Sequence, residues 1–128
     1  MLWKSKLKGL NINYVINLGG YINHSNIKKT KESHFYGCVN LINYFKYKKI
    51  SNFIQVGSSL EYGPISTPHS EKNFNCYPIG NYGLSKLKAT EFLKKKREKL
   101  QITIYYIKTL SNLWSLSDSR SINTYGNK

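Results

Sequence analysis

The sequence predicts an α/β fold built on a parallel sheet. Three short apolar runs, at residues 14–18, 53–56 and 102–107, have the length of buried strands. The segments between them carry helical spacing instead: Phe35, Cys38, Val39, Ile42 and Phe45 in the first, and Tyr82, Lys86, Ala89 and Leu93 in the second. Strands alternating with helices call for crossover connections, which are right-handed and lay the strands parallel.

Taken in order, residues 3–10 read as the end of a short helix. Tyr14-Val15-Ile16-Asn17-Leu18 is closed by Gly19-Gly20, a strand and then a turn. An amphipathic helix is expected from about residue 29 to 49. Phe53-Ile54-Gln55-Val56 is a second strand ending at Gly57. Residues 58–81 hold Pro64, Pro68, Pro78, Gly63 and Gly80 and read as one long loop, a length that a compact domain seldom keeps without a functional reason. A second helix is expected over about 82–99, with Tyr82 and Lys86 at the head of its buried stripe. The third strand follows at 102–107. Residues 111–128 contain five serines and no period, so the domain is read as residues 1–110 and the remainder as a poorly specified tail. No internal repeat is present.

At 128 residues the chain is one domain or part of one, and its 40% apolar content suffices for a modest core. The net charge is +14, from 20 Lys and Arg against 6 Asp and Glu. Such an excess attracts nucleic acid or an anionic surface. Here, however, the lysines are spread among many Asn, Ile and Tyr residues, as a codon bias toward A and T produces. Lys94-Lys95-Lys96-Arg97 with Lys99 reads as the solvated end of a helix, where cations suit the helix dipole. Cys38 and Cys76 lack metal-ligand spacing, so no metal site is expected, and they fit a reducing cytoplasm. No apolar run approaches the roughly 20 residues that span a bilayer. Residues 1–10 lack the apolar core of an export signal.

Chemistry is concentrated in Tyr82-Gly83-Leu84-Ser85-Lys86. A tyrosine and a lysine four apart share a helical face, and an ammonium beside a phenol makes it a better proton donor. Tyr44 and Lys48 repeat the spacing, late in a helix and with no glycine turn or serine near them in sequence. Tyr82 instead opens its helix after a turn-rich loop, and Ser58 stands 24 positions upstream at a strand end within Gly57-Ser58-Ser59. In a parallel sheet, ligands lie beyond the carboxyl ends of the strands. Gly19-Gly20, Ser58-Ser59 and the segment before Tyr82 are all expected at that edge. A serine hydroxyl there can donate to a developing oxyanion.

These segments together resemble the extended short-chain dehydrogenase/reductases of the NAD-dependent epimerase/dehydratase group, over about residues 14–107. Val15-Ile16-Asn17-Leu18-Gly19-Gly20 resembles a fourth strand ending in "hLAA/LAG". Gly37-Cys38-Val39-Asn40-Leu41-Ile42 resembles "GTxNLL", with Asn40 as the helix asparagine. Residues 53–63 resemble "FixxSSxxVYG", Pro68 and Glu71 fit "PxxE", and residues 78–86 resemble "PxxxYGxSK". The resemblance implies a partial Rossmann-like sheet of about three strands with crossover helices. It implies Ser58 (Ser59 as the fallback), Tyr82 and Lys86 as catalytic residues, Tyr82 being the general acid/base. It further implies that Leu18, Gly19, Gly20, Tyr82 and Lys86 contact a cofactor, NAD or NADP. Glu61 falls one place from an acidic position that some dehydratases use, and no role is read for it.

The departures are as informative. No Gly-x-x-Gly-x-x-Gly turn occurs, and only about 13 residues precede Tyr14 where the pattern has roughly three strands. Tyr14 stands where an aspartate opens the fourth strand. Tyr106 or Lys108 stands near the place of an arginine, and no "NxYGP" follows. The expectation is therefore a fragment of a cytoplasmic enzyme that moves a hydride at a carbon of a nucleotide sugar, inactive alone and lacking the adenosine and pyrophosphate site. Its partner would be a separately encoded N-terminal half. Epimerisation, dehydration and reduction all stay open as outcomes. The alternatives are a non-catalytic remnant or assembly module and, as the weakest reading, a small basic nucleic-acid binder.

Overall fold

The computed structural model describes residues 3–63 and 77–109. Its elements run α1 (Trp3–Lys6), β1 (Tyr14–Asn17), α2 (Ile27–Lys31), a π-helical turn (Glu32–Tyr36), α3 (Gly37–Phe45), β2 (Asn52–Ser58), a 3-10 turn (Ser59–Glu61), α4 (Gly80–Arg97) and β3 (Thr103–Thr109). The strands form one sheet in the order β1-β2-β3, and both pairings are parallel. The expected strand–helix–strand–helix–strand order and parallel sheet are thus present. The segment containing Pro64, Pro68, Glu71 and Cys76, and the tail at 111–128, lie outside the described residues.

Register sorts the side chains. Val15 is opposite Phe53, and Phe53 opposite Ile104, so these three share a face. The helices cover that face: Cys38, Ile42, Phe45, Ile50, Phe53, Ala89, Leu93, Ile102 and Ile104 form the buried core. The other face carries Tyr14, Ile16, Tyr105 and Ile107, each at least 40% exposed. A parallel sheet ordinarily has both faces covered.

Local chemistry explains the element ends, and some differ from the sequence reading. The first helix begins at Ile27 rather than 29, because the Asn26 side chain accepts from the Lys29 N–H at 3.0 Å and caps it. It stops at Phe45 rather than 49, where Ile50 turns back into the core at 4% exposure. Within it, the π turn inserts extra residues and rotates the register. His34 is on the buried side with Thr30 and Cys38, each four residues apart. The second helix starts at Gly80, whose φ is +63, and ends at Arg97 with Lys94, Lys95, Lys96 and Arg97 in its last turn. The segment read as a loop from residue 58 to 81 opens with regular structure: β2 extends to Ser58, and the 3-10 turn follows at once.

Candidate active site

The site is built where β2 runs out. Ser58 is the last residue of the strand and the N-cap of the 3-10 turn. Its Oγ accepts from the Leu60 N–H at 3.2 Å, and its own N–H donates to Glu61 Oε1 at 2.8 Å, a reciprocal capping box. A hydroxyl that accepts still has its own proton to give. Ser58 and Ser59 are both buried.

Helix α4 is brought against this turn by a close backbone approach. The Ile79 N–H donates to the Leu60 carbonyl at 3.0 Å. A methyl group on Gly83 would lie 2.6 Å from the same carbonyl oxygen, so only glycine allows the helix this near. Tyr82, half-buried, immediately precedes that contact. Lys86, one turn on, is 4% exposed and donates through Nζ to the Val56 carbonyl at 2.8 Å, two residues before Ser58. Its ammonium lies 5.8 Å from the Tyr82 ring centre. The helix contact therefore gathers Ser58, Tyr82 and Lys86 at the carboxyl end of β2. Desolvation pushes the Lys86 ammonium below its ordinary pKa, and the Glu61 carboxylate pulls the other way. The repeat of the spacing, Tyr44 with Lys48, stands where α3 ends and the chain turns toward the opening of β2, at the opposite edge of the sheet.

Leu18, Gly19 and Gly20 continue from the end of β1. Leu18 is exposed, and the Gly19 N–H donates to Asn17 Oδ1 at 3.1 Å. The Asn17 amide in turn donates to Gln55 Oε1 at 2.9 Å, tying β1 to β2. Gly20 lies on the His34 ring, and a methyl there would overlap His34 Cε1. His34 also meets Tyr82 edge-on, with centroids 4.8 Å apart at 84°, while His24 stacks on Tyr82 at 4.2 Å and 17°. One imidazole thus separates the Gly19-Gly20 turn from Tyr82. Neither histidine was singled out from sequence. His34 lies one helical turn before Cys38 on the same buried face, a spacing that could have found it, whereas His24 sits in an irregular segment with no period.

His34 is 4% exposed. Its Nε2 faces both the N–H and the carbonyl of Tyr21 at 3.3 Å, and its Nδ1 is buried with no partner among the described residues. Burial holds its pKa down at about 4, reinforced by the Lys86 and His24 charges and opposed by the Tyr21 bond. An unfolded imidazole binds its proton near the ordinary value of about 6.5. Between those two pH values the unfolded chain holds a proton that the native chain refuses, so stability falls as the pH drops from about 6.5 to 4. The loss is expected to reach at most about 3 kcal/mol. Urea titrations at pH 7, 5.5 and 4.5 check it. His34→Leu should flatten that part of the profile, and an unchanged slope would dismiss His34 as its source.

The arrangement suits one end of a dinucleotide. Lys86 keeps two N–H bonds beyond the one to Val56, and Gly19-Gly20 offers backbone without side chains beside the Tyr82 cluster. Among the described residues no Gly-x-x-Gly-x-x-Gly turn is present to cradle a pyrophosphate. No group of three His, Cys, Asp or Glu residues is placed to hold a metal among the described residues. None of their helices is long and apolar enough to cross a membrane.

A model of the NAD dependent epimerase/dehydratase family matches residues 3–119. No curated protein matches the sequence. Among solved structures the chain is similar to UDP-glucuronic acid 4-epimerase from Bacillus cereus in complex with NAD, at 19% identity and a TM-score of 0.71, covering 83% of this chain and 34% of that one. It is similar to RMD from Pseudomonas aeruginosa complexed with NADPH, at 21% identity and 0.68, covering 77% and 35%. The UDP-Glc/GlcNAc 4-epimerase from Campylobacter jejuni gives 21% and 0.66, covering 80% and 33%. The chain spans about a third of the length of these structures.

Proposed function

This chain belongs to the NAD dependent epimerase/dehydratase family, and we propose that it supplies the catalytic edge of an enzyme acting on a nucleotide sugar. The observation that carries the reading is the packing of α4 on the turn after β2, which puts Ser58, Tyr82 and Lys86 at one strand end. The UDP-sugar epimerases among its structural neighbours support the substrate class.

In this reading the Tyr82 Oη holds the proton that leaves or returns to the sugar hydroxyl. The Ser58 hydroxyl donates to the same sugar oxygen and fixes its position. Lys86 would hold the nicotinamide ribose with its remaining N–H bonds. Leu18, Gly19 and Gly20 flank the cofactor from β1. When bound, the nicotinamide supplies the hydride acceptor and donor. Further polypeptide completes the site: it covers the exposed Tyr14, Ile16, Tyr105 and Ile107 face and brings the pyrophosphate cradle, either joined to this chain or as a separately encoded half. The buried free thiol of Cys38 agrees with a cytoplasmic setting.

The test is calorimetric titration with NAD, NADP and UDP-glucuronic acid. It is run on the chain alone and on the chain co-expressed with the coding sequence immediately upstream of its own. The expected result is no micromolar cofactor binding by the chain alone, and stoichiometric cofactor with nucleotide-sugar turnover in the co-expressed product. Tight NAD binding by the chain alone would overturn the incomplete site. A co-expressed product that takes up no cofactor would overturn the enzymatic reading.

A further inference from the structure

The structure assigns Glu61 a positioning role: it locks the Ser58 backbone and shares its charge between Lys108 and Lys86, so that Lys86 stays a cation free to act on its neighbours. This rests on the reading of Ser58, Tyr82 and Lys86 as the working residues.

Glu61 is fully buried, and both of its oxygens are used. Oε1 accepts from the Ser58 N–H at 2.8 Å and Oε2 from Thr90 Oγ1 at 2.9 Å, while Lys108 Nζ lies 3.5 Å from Oε2. One carboxylate thus joins the end of β2, the catalytic helix and β3. Gly57 makes room for it, since a methyl there would overlap Oε1. A buried carboxylate needs a cation, and Lys108 provides it directly, its ammonium also 3.7 Å above the Tyr62 ring centre.

Among the described residues Lys86 has no direct ion pair. Its hydrogen bond goes to a neutral carbonyl, and Glu61 acts on it only through space. Among the described residues the other titratable groups near it are Cys38 from α3, His34 from the π turn and Tyr82 on its own helix. Burial pushes the Cys38 thiol up to about 12 and His34 down to about 4, so both are neutral near pH 7. Among the described residues Glu61 is therefore the anion that opposes the effect of burial on Lys86, and Lys108 competes for it.

Two substitutions should move Lys86 in opposite directions. Glu61→Gln keeps an acceptor for the Ser58 N–H but removes the charge, so the Lys86 ammonium should titrate at lower pH. Lys108→Met keeps an apolar stem against Tyr62 and removes the competing cation, so Lys86 should titrate at higher pH. The measurement is the lysine 13Cε chemical shift of the full chain against pH, with the Lys86 signal assigned from Lys86→Arg. The Ser58 amide proton should also move upfield in Glu61→Gln. Shifts of opposite sign support the role. A Lys86 titration that both variants leave in place, or move the same way, overturns it and leaves Glu61 a structural cap. If Glu61→Gln does not fold, the Lys108→Met arm decides by itself, because Lys108 is partly exposed. Neither readout needs turnover, so the outcome is separate from whether Tyr82 and its neighbours catalyse anything.

Discussion

Tyr82→Phe is expected to lower turnover of the completed enzyme by roughly 100- to 10,000-fold, the range a positioned acid/base group supplies. Cofactor affinity should change little. The substitution deletes one oxygen and keeps the ring, so the stack on His24 and the edge contact with His34 both survive. Gly83 still seats the helix on Leu60, and Lys86 keeps its bond to the Val56 carbonyl. The loss should therefore fall on kcat, with no comparable change in KM or in the urea midpoint. Steady-state kinetics and cofactor titration on the co-expressed protein make the comparison. Turnover within tenfold of the parent would remove Tyr82 from the acid/base role, whatever became of the rest of the site.

Gly83→Ala should damage fold and site together. The added carbon would meet a backbone oxygen at 2.6 Å, and a backbone cannot swing aside as a side chain can. Helix α4 must back away from the 3-10 turn, and overpacking of this kind costs about 1–3 kcal/mol. The same movement separates Tyr82 and Lys86 from Ser58, and a displacement near 1 Å is enough to lose about 100-fold in rate. Gly37→Ala is the control. That glycine is also helical, but its nearest new contact, the Glu32 carbonyl at 3.7 Å, is ordinary packing. Alanine there should stabilise by about 0.5–1 kcal/mol through helix propensity alone. Denaturant melts of the two variants decide the matter. Equal midpoints would show that the Gly83 contact does not set the position of the helix.

Much of the fold was legible because it is written in side-chain periodicity. The runs ending at Leu18, Val56 and Ile107 are apolar and short, and each coincides with most of a strand of the sheet. Cys38, Ile42 and Phe45 face the core as their spacing requires. In the second helix the same spacing placed Lys86 beside Ala89 and Leu93, and all three are buried. Element ends were less legible. Asn26 sets a helix start through one capping bond, and Gly80 sets another through a positive φ; neither is a periodic signal.

The sequence by itself determined the alternation of strands and helices, the parallel sheet, and the placing of Ser58, Tyr82 and Lys86 toward one edge. Periodicity and connection length are properties of the chain, and they survive without knowledge of what packs on what. Only the tertiary structure decided that His34 lies between Gly20 and Tyr82, and that Glu61 sits buried between Ser58, Thr90 and Lys108. Spacing can put an imidazole on an inner face, but which turn and which ring it meets depends on segments distant in sequence. A buried carboxylate is tolerable only where donors from three separate elements meet it, and their meeting exists only after the chain has folded.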